Sequence, residues 1–125
     1  MFNNAGINKV FLVGHVGKTP RLHTQADGLN FFSFPLATNE FIKKNNQSVE
    51  HVEWHQVKIP VPMLSETAPD LNKGHLIYLE GKIKTKCYTD ELGIKRYKSE
   101  VLCVNFRVLS SIPVEVQVAS ESELM

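Results

Sequence analysis

The segment with the clearest chemical pattern is residues 82–88, which reads KIKTKCY. Successive side chains of a β-strand point to opposite faces, so Lys82, Lys84 and Lys86 share one face with Tyr88. Three ammonium groups in a row repel one another unless an anion neutralises them. A polyanion fits this pattern, because phosphates pair with the lysines while the tyrosine ring offers a flat surface to a base. The alternative is an edge strand whose lysines protect it from aggregation.

A second candidate is Trp54, in a segment that alternates like a strand. Trp54 shares the polar face with Gln56 and Lys58, whereas the opposite face carries apolar side chains. A tryptophan on the wet face of a strand can stack on a nucleobase, an interaction worth about 1–3 kcal/mol. The alternative is that Trp54 packs under a loop or against another subunit.

A third cluster joins Phe41 to Lys43 and Lys44, in what we predict to be a polar loop running to Glu50. It is either a further nucleic-acid contact or an apolar plug on a solvated hairpin. The sequence leaves both interpretations open.

No arrangement of residues indicates catalysis or a metal site. Gly17-Lys18-Thr19 resembles the end of a phosphate-binding P-loop, but Leu12 stands where that motif needs glycine. His51 and His55 are spaced for zinc on a helix, yet they fall in a predicted strand without a third ligand. No serine, cysteine or carboxylate has a neighbouring base. We therefore predict no catalytic residue, no metal and no cofactor.

The net charge of the 125 residues is only +1, but it is unevenly distributed. Residues 1–109 carry 14 basic and 10 acidic side chains, a net +4, and residues 110–125 carry three glutamates and no basic residue. Residues 82–98, which include Arg96, are themselves net +4. A near-neutral total therefore does not exclude binding to nucleic acid.

The composition indicates one globular domain in a reducing compartment. The chain has the length of a single domain, and 42% of it is hydrophobic. No apolar run is long enough to cross a bilayer, and the N-terminus has no signal-peptide pattern. Cys87 and Cys103 form no CxxC pair, and we expect both to be reduced strand residues.

Most of the chain is predicted to form strands. We expect a strand at 9–14 that is buried on both faces, others at 31–38 and 52–61, and a long hairpin that pairs 76–88 with 97–109. Pro35 favours an edge or a bulge. The one helical candidate, 63–72, is limited to short pieces by Pro69.

This pattern is all-β and best fits an OB-fold, a five-stranded Greek-key barrel, with one short helix and a long β-hairpin. An SH3-like barrel and a two-sheet sandwich are the alternatives. We expect residues 1–109 to form this domain and residues 110–125 to form a short acidic tail. Val114, Val116 and Val118 in that tail alternate like an extra strand.

Five segments in order resemble the bacterial-type single-stranded DNA-binding proteins, a family that includes mitochondrial relatives. They read NKVFLVG from residue 8, PLAT from 35, EWH from 53, KG from 73 and YLEGK from 78. The resemblance runs from about residue 7 to 109. It implies an OB-fold, a homotetramer, and sequence-tolerant binding of single-stranded DNA in replication, repair and recombination.

The resemblance also implies roles for individual residues. Trp54 and Tyr88 match the family's stacking positions, and His55 and Tyr78 match positions of subunit contact. Its backbone-contacting basic positions are matched by Lys43, Lys73, Lys84 and Lys86. Together with the patterns above, the expected DNA-binding residues are Trp54, Tyr88, Phe41, Lys43, Lys73, Lys82, Lys84, Lys86 and Arg96.

The departures from the family concern stacking and partners. Ile42 and Pro60 stand where the family usually has aromatic residues, so two stacking sites are weakened. The chain also lacks the usual acidic, hydrophobic C-terminal tip, which puts docking of replication and repair proteins in doubt.

The predicted function is binding and protection of single-stranded DNA without catalysis. We expect a bacterial, cytoplasmic, nucleoid-associated protein rather than a mitochondrial one, and no membrane partner. Two other hypotheses remain. One is a dimeric, primosome-like replication accessory protein that acts mainly through protein contacts. The other is an OB-fold nuclease, which would need a metal-binding carboxylate cluster.

Overall fold

The computed structural model describes residues 5–25 and 28–110. In chain order the elements are β1 (Val10–Val16), β2 (Arg21–Thr24), β3 (Asn30–Lys44), β4 (Gln47–Pro60), α1 (Val61–Thr67), β5 (Leu76–Thr89) and β6 (Lys95–Val108). The expected tail strand lies outside the described residues.

Five strands close into a barrel. The sheet runs β1-β5-β6-β4-β3-β2, and β1 also pairs with β3, which joins the two ends of the five-strand set. All pairs are antiparallel except β4 with β6. The OB-fold prediction is therefore confirmed, with β2 added as a sixth strand on β3. Gly14 permits the closure, because a Cβ there would collide with the Ala37 carbonyl of β3.

The core is formed by the inward side chains of these strands. Its largest fully buried members are Phe34 and Phe106, packed with aliphatic residues from β1, β3, β4 and β5. Leu64 of α1 and Leu71 close one end. Alternation within 31–38 and 52–61 predicts that Phe34, Leu36, Val57, Ile59 and Val61 point inward. The first four are buried in the core, whereas Val61 begins the helix instead of continuing the strand.

The first strand is not buried on both faces as expected. Phe11 is 59% exposed and Val13 is 53% exposed, whereas Val10, Leu12 and Val16 face the core. The expectation was wrong because an uninterrupted apolar run does not distinguish a strand between two layers from a barrel strand with an apolar outer face.

Residues 41–50 do not form a polar loop. They continue β3 and β4 outward as a two-stranded ribbon, with Phe41 opposite Glu50 and Ile42 opposite Val49. Asn45 and Asn46 turn the chain with φ of 52° and 64°, which matches a two-residue hairpin turn. Asparagine tolerates this left-handed conformation better than most residues.

Pro35 lies at a local edge of β3 and not at a bulge. It is paired opposite Gln56 on β4, within an unbroken register. On its other side the partner of β3 changes from β2, whose pairing ends at Ser33, to β1, whose pairing begins at Leu36. The proline therefore occupies a gap between two partners, where no ladder hydrogen bond is lost.

Helix α1 is shorter than the predicted 63–72. It begins after Pro60 with Pro62 in its first turn, and the Ala68 amide donates to the Leu64 carbonyl at its end. Pro69 follows directly, as expected from its inability to continue a helix.

The long hairpin predicted from β5 and β6 is confirmed. Its tip is fixed by Asp90, whose Oδ1 accepts hydrogen bonds from the Leu92 and Ile94 amides at 2.9 Å each. Beyond Gly81, β5 pairs with β6 alone, so residues 82–89 leave the barrel as a two-stranded arm.

Candidate nucleic-acid interface

Strand register brings polar and aromatic residues from five strands onto one outer surface. Residues directly opposite in a ladder share a face. Trp54, Gln56 and Lys58 of β4 are opposite Ala37, Pro35 and Ser33 of β3, and Ser33 is opposite Arg21 of β2. On the other side, Lys58 is opposite Leu102 of β6, which continues this face to β5. We call it the outer polar face: Arg21, His23, Phe31, Ser33, Trp54, Gln56, Lys58, Lys82, Lys84, Lys86, Tyr88, Arg96, Lys98 and Glu100.

Trp54 is supported from behind and open in front. A Cβ on Gly17 would lie 2.5 Å from the indole ring, so only glycine at this position allows the ring to pack directly against the backbone. The Gly17 amide donates to the Pro35 carbonyl at 2.8 Å, which holds this support in place. The side chain nevertheless remains 53% exposed. A large aromatic surface is therefore fixed in position and accessible.

Trp54 forms one wall of a cleft of about 500 Å³, within the range of small-molecule pockets. The cleft is lined by Gly17, Lys18, Thr19, Arg21, His23, Ser33, Phe34, Pro35, Trp54, Gln56 and Lys98. Three of these residues are cationic and none is acidic. An anionic ligand with a flat ring suits this lining.

The lysine row occupies the arm as the alternation predicted. Lys82, Lys84, Lys86 and Tyr88 are all exposed, with Tyr88 opposite Arg96 and Lys86 opposite Lys98. No described strand pairs with the outer backbone edge of the arm, where the Asn8 side chain forms hydrogen bonds of 2.8 and 3.0 Å with the Ile83 backbone. Both sequence interpretations of the lysines therefore keep a structural basis.

The charge of Arg96 is already engaged. Its Nε donates to Asp90 Oδ2 at 2.8 Å. The Ile94 amide and the Arg96 guanidinium lower the pKa of Asp90, which keeps the carboxylate charged. Arg96 is therefore a weaker candidate for phosphate contact than Lys82 and Lys84.

A buried ion pair lies on the outer polar face at the base of the arm. Lys58 and Glu100 are only 7% and 5% exposed, and their charged atoms are 3.2 Å apart. Lys86 Nζ lies 3.5 Å from the same Glu100 oxygen. Burial lowers the pKa of Lys58. Glu100 thus offsets part of the repulsion among the cations around it.

The remaining predicted contacts lie at the margins of this surface. Phe41 and Lys43 are exposed near the tip of the β3–β4 ribbon, on the same side of β3 as Ala37 and Ser33. Lys73 is exposed in the loop before β5, next to Asn72, whose side chain accepts a hydrogen bond from Thr19 of the cleft. These three residues do not line the cleft itself.

The two predicted subunit-contact residues lie apart from the cleft. His55 is half-buried, and its Nε2 is 3.0 Å from Thr38 Oγ1. Tyr78 stacks on Phe11 with ring centroids 6.4 Å apart, and it lies opposite Val13. We call Phe11, Val13 and Tyr78 the β1 patch, an apolar area on the outside of the barrel.

Sequence reasoning missed His23, Phe31 and Lys98. The imidazole of His23 stacks on the Phe31 ring at 5.1 Å, and Lys98 lines the cleft. The alternation that placed Ser33 and Pro35 on the outer side of β3 also places Phe31 there, so this residue could have been found. His23 lies on a strand of four residues whose pattern is too short to interpret.

Other chemistry lacks support within 5–25 and 28–110. No three His, Cys, Asp or Glu side chains in these ranges are grouped to hold a metal ion. His51 instead pairs with Glu53 at 2.9 Å.

Both cysteines are free thiols, Cys87 exposed and Cys103 buried. Burial raises the pKa of Cys103 to about 12. Among the helices in the described ranges, none has the length and hydropathy needed to span a membrane.

Comparison with known proteins gives a consistent result. The profile of the single-strand binding protein family matches residues 7–109. Single-stranded DNA-binding protein 1 of Chlorobaculum tepidum is 32% identical over 108 residues, covering 85% of this chain and 67% of the relative. The single-stranded DNA-binding protein of Bacteroides thetaiotaomicron is 36% identical over 107 residues, covering 83% and 66%. The chain thus spans about two thirds of the length of these relatives.

A solved structure shares the fold. The Plasmodium falciparum SSB in complex with ssDNA superimposes with a TM-score of 0.74 and 24% identity, covering 87% of this chain and all of that one. The family match, the two relatives and the shared barrel agree: this chain belongs to the single-strand binding protein family.

Proposed function

We propose that this chain binds single-stranded DNA on the outer polar face, without catalysis and with little sequence preference. The observation that carries the proposal is the exposed Trp54 ring, which forms one wall of a cleft. Among the described residues, the lining of this cleft includes three cations and no acidic side chain. A base stacks on the ring while the cations neutralise its phosphates. Stacking reads no base edge, because every base presents a π-face.

The arm extends this surface beyond the cleft. Tyr88 is half exposed, so it supplies a second ring, and Lys82, Lys84 and Lys86 continue the same face along β5. Lys43, Phe41 and Lys73 flank the path at its margins. Binding therefore combines a few stacked bases with a distributed electrostatic contact that salt weakens.

We also propose that the working form is a homotetramer in the bacterial cytoplasm, serving DNA replication, repair and recombination. The β1 patch supports assembly, because exposed Phe11 and Val13 beside Tyr78 form an apolar surface of the kind used for subunit contact. A primosome-like dimer would use the same fold, and gel filtration with light scattering distinguishes the two.

The test of DNA binding is the Trp54→Ala variant, titrated into fluorescently labelled oligo-dT and followed by anisotropy. Loss of a stacked base costs about 1–3 kcal/mol, so we expect affinity to fall by about five- to 150-fold. The matched control is Tyr97→Ala, which removes an exposed ring from the opposite face of β6. Equal affinity of wild type and Trp54→Ala would remove Trp54 from the site.

A further inference from the structure

On the outer polar face, side chains from β4, β3 and β2 stack into a column that contains two aromatic rings. Lys58 Nζ lies 4.3 Å from the centre of the Phe31 ring. On β2, the His23 ring stacks on Phe31 with centroids 5.1 Å apart and planes 12° from parallel. The column therefore runs from Lys58 through Phe31 to His23.

Only the His23 end of this column reaches the cleft. His23 lines the cleft, whereas Phe31 and Lys58 do not. Because Phe31 covers one face of the imidazole, a ligand ring would stack on the opposite face. Trp54 lines the same cleft. Two flat rings thus border one space whose other side chains include Arg21 and Lys98.

The imidazole is held in a fixed orientation before any ligand binds. Its Nε2 lies 2.8 Å from Ser33 Oγ, which also lines the cleft. Stacking on Phe31 and the hydrogen bond to Ser33 together restrict both torsions of the side chain. A group ordered in advance loses less entropy on binding, so its contact contributes more to affinity.

Phe31 is directly opposite Pro60 in the β3–β4 ladder, on the same face. The Phe31 ring is already in contact with Lys58 and with His23, so the ring left for a ligand is that of His23.

We propose that the cleft between Trp54 and His23 is a nucleobase subsite, with His23 as a stacking surface backed by Phe31, and with Arg21 and Lys98 holding the adjacent phosphates. This inference rests on the proposed binding of single-stranded DNA. It adds a base contact on β2 to those expected at Trp54 and Tyr88.

The test uses His23→Ala and His23→Phe in the full chain, with affinity for labelled oligo-dT measured by anisotropy. We expect His23→Ala to weaken binding by about fivefold or more, which is the low end of the stacking range. His23→Phe keeps a flat ring on Phe31 and should retain most of the affinity. The matched control is His51→Ala, which removes an exposed imidazole elsewhere on the sheet. Thermal melts of all variants establish that the barrel is intact.

Fluorescence of the wild type, His23→Ala and His23→Phe gives a second readout, because Trp54 is the only tryptophan of the chain. Oligo-dT should quench it less completely in His23→Ala than in the other two. If wild type binds oligo-dT and the folded His23→Ala variant has the same affinity and the same quenching, the proposed nucleobase subsite is wrong, whereas the proposed DNA binding is retained. If wild type itself does not bind oligo-dT, the proposed function fails first. Equal losses in His23→Ala and His23→Phe would assign the effect to the Ser33 hydrogen bond and overturn the stacking role.

Discussion

The least expected residues on the proposed binding surface are Lys58 and Glu100, a charged pair with almost no exposure on the outside of the barrel. Glu100 contacts both Lys58 and Lys86, so one carboxylate serves two ammonium groups. Removing charges from water is costly, and the burial that lowers the pKa of Lys58 reflects that cost. Glu100 is what allows two lysines to approach each other here.

We predict that Glu100→Gln lowers the free energy of unfolding by on the order of 3 kcal/mol, because it leaves Lys58 buried without its counterion. Urea unfolding at fixed protein concentration measures the change. The double variant Lys58→Met with Glu100→Gln should recover most of the loss, since the unpaired charge is gone. A Glu100→Gln protein as stable as wild type would show that water reaches Lys58 freely.

At the scale of elements, the arm formed by the ends of β5 and β6 gives both interpretations of the lysine row a structural basis. The arm lies outside the barrel, so its lysines do not contribute to the core. Within the described residues its outer edge has no strand partner, so protection against aggregation is a physical role for the lysines. Its continuity with the outer polar face makes phosphate contact an equally physical role.

We predict that replacing Lys82, Lys84 and Lys86 together by Gln reduces the salt dependence of DNA binding. Each phosphate contact to a single strand adds about 0.7 to the slope of log affinity against log salt, so three lost contacts should reduce its magnitude by about 2. Binding of oligo-dT across a salt series gives this slope.

The control for the lysine row is Lys9→Gln, which removes a cation outside the row that is already paired with Glu80 at 3.0 Å. It should leave the slope as in wild type. An unchanged slope in the triple variant, accompanied by aggregation, would favour the edge-protection interpretation and count against phosphate contact.

At the scale of the whole molecule, the barrel carries two different outer surfaces. The outer polar face is lined with cations and rings, whereas the β1 patch is apolar. Closure of one sheet allows this, because every strand contributes alternate residues to a shared core and leaves the others free. The two surfaces suit DNA and a second subunit, respectively.

We predict that Val13→Lys disrupts assembly while DNA contact by each subunit persists. A charge in the middle of an apolar interface remains unpaired, which favours the separated subunits. Light scattering after gel filtration should show a mass lower than that of wild type. A suitable control is Leu22→Lys, at an exposed leucine on β2 away from the patch. An unchanged mass for Val13→Lys would place the subunit contact elsewhere.

The sequence alone determined the features that depend on local periodicity and turn chemistry. Alternation in β3 and β4 predicted which side of each strand faces the core, and this holds for Phe34, Val57 and Ile59. The hairpin tip and the short helix followed from glycine and proline at particular positions. Trp54 and Lys86 were placed on polar faces because of the same alternation.

Tertiary structure decided which strands are neighbours, and therefore which residues meet. The cleft exists because several strands contribute to one surface, and no periodicity within a strand specifies its partner. Lys58 contacts Glu100 because β4 and β6, which are distant in sequence, pair in parallel. His23 stacks on Phe31 because β2 pairs with β3. Local alternation determines the face that a side chain presents, whereas closure of the barrel determines what lies opposite it.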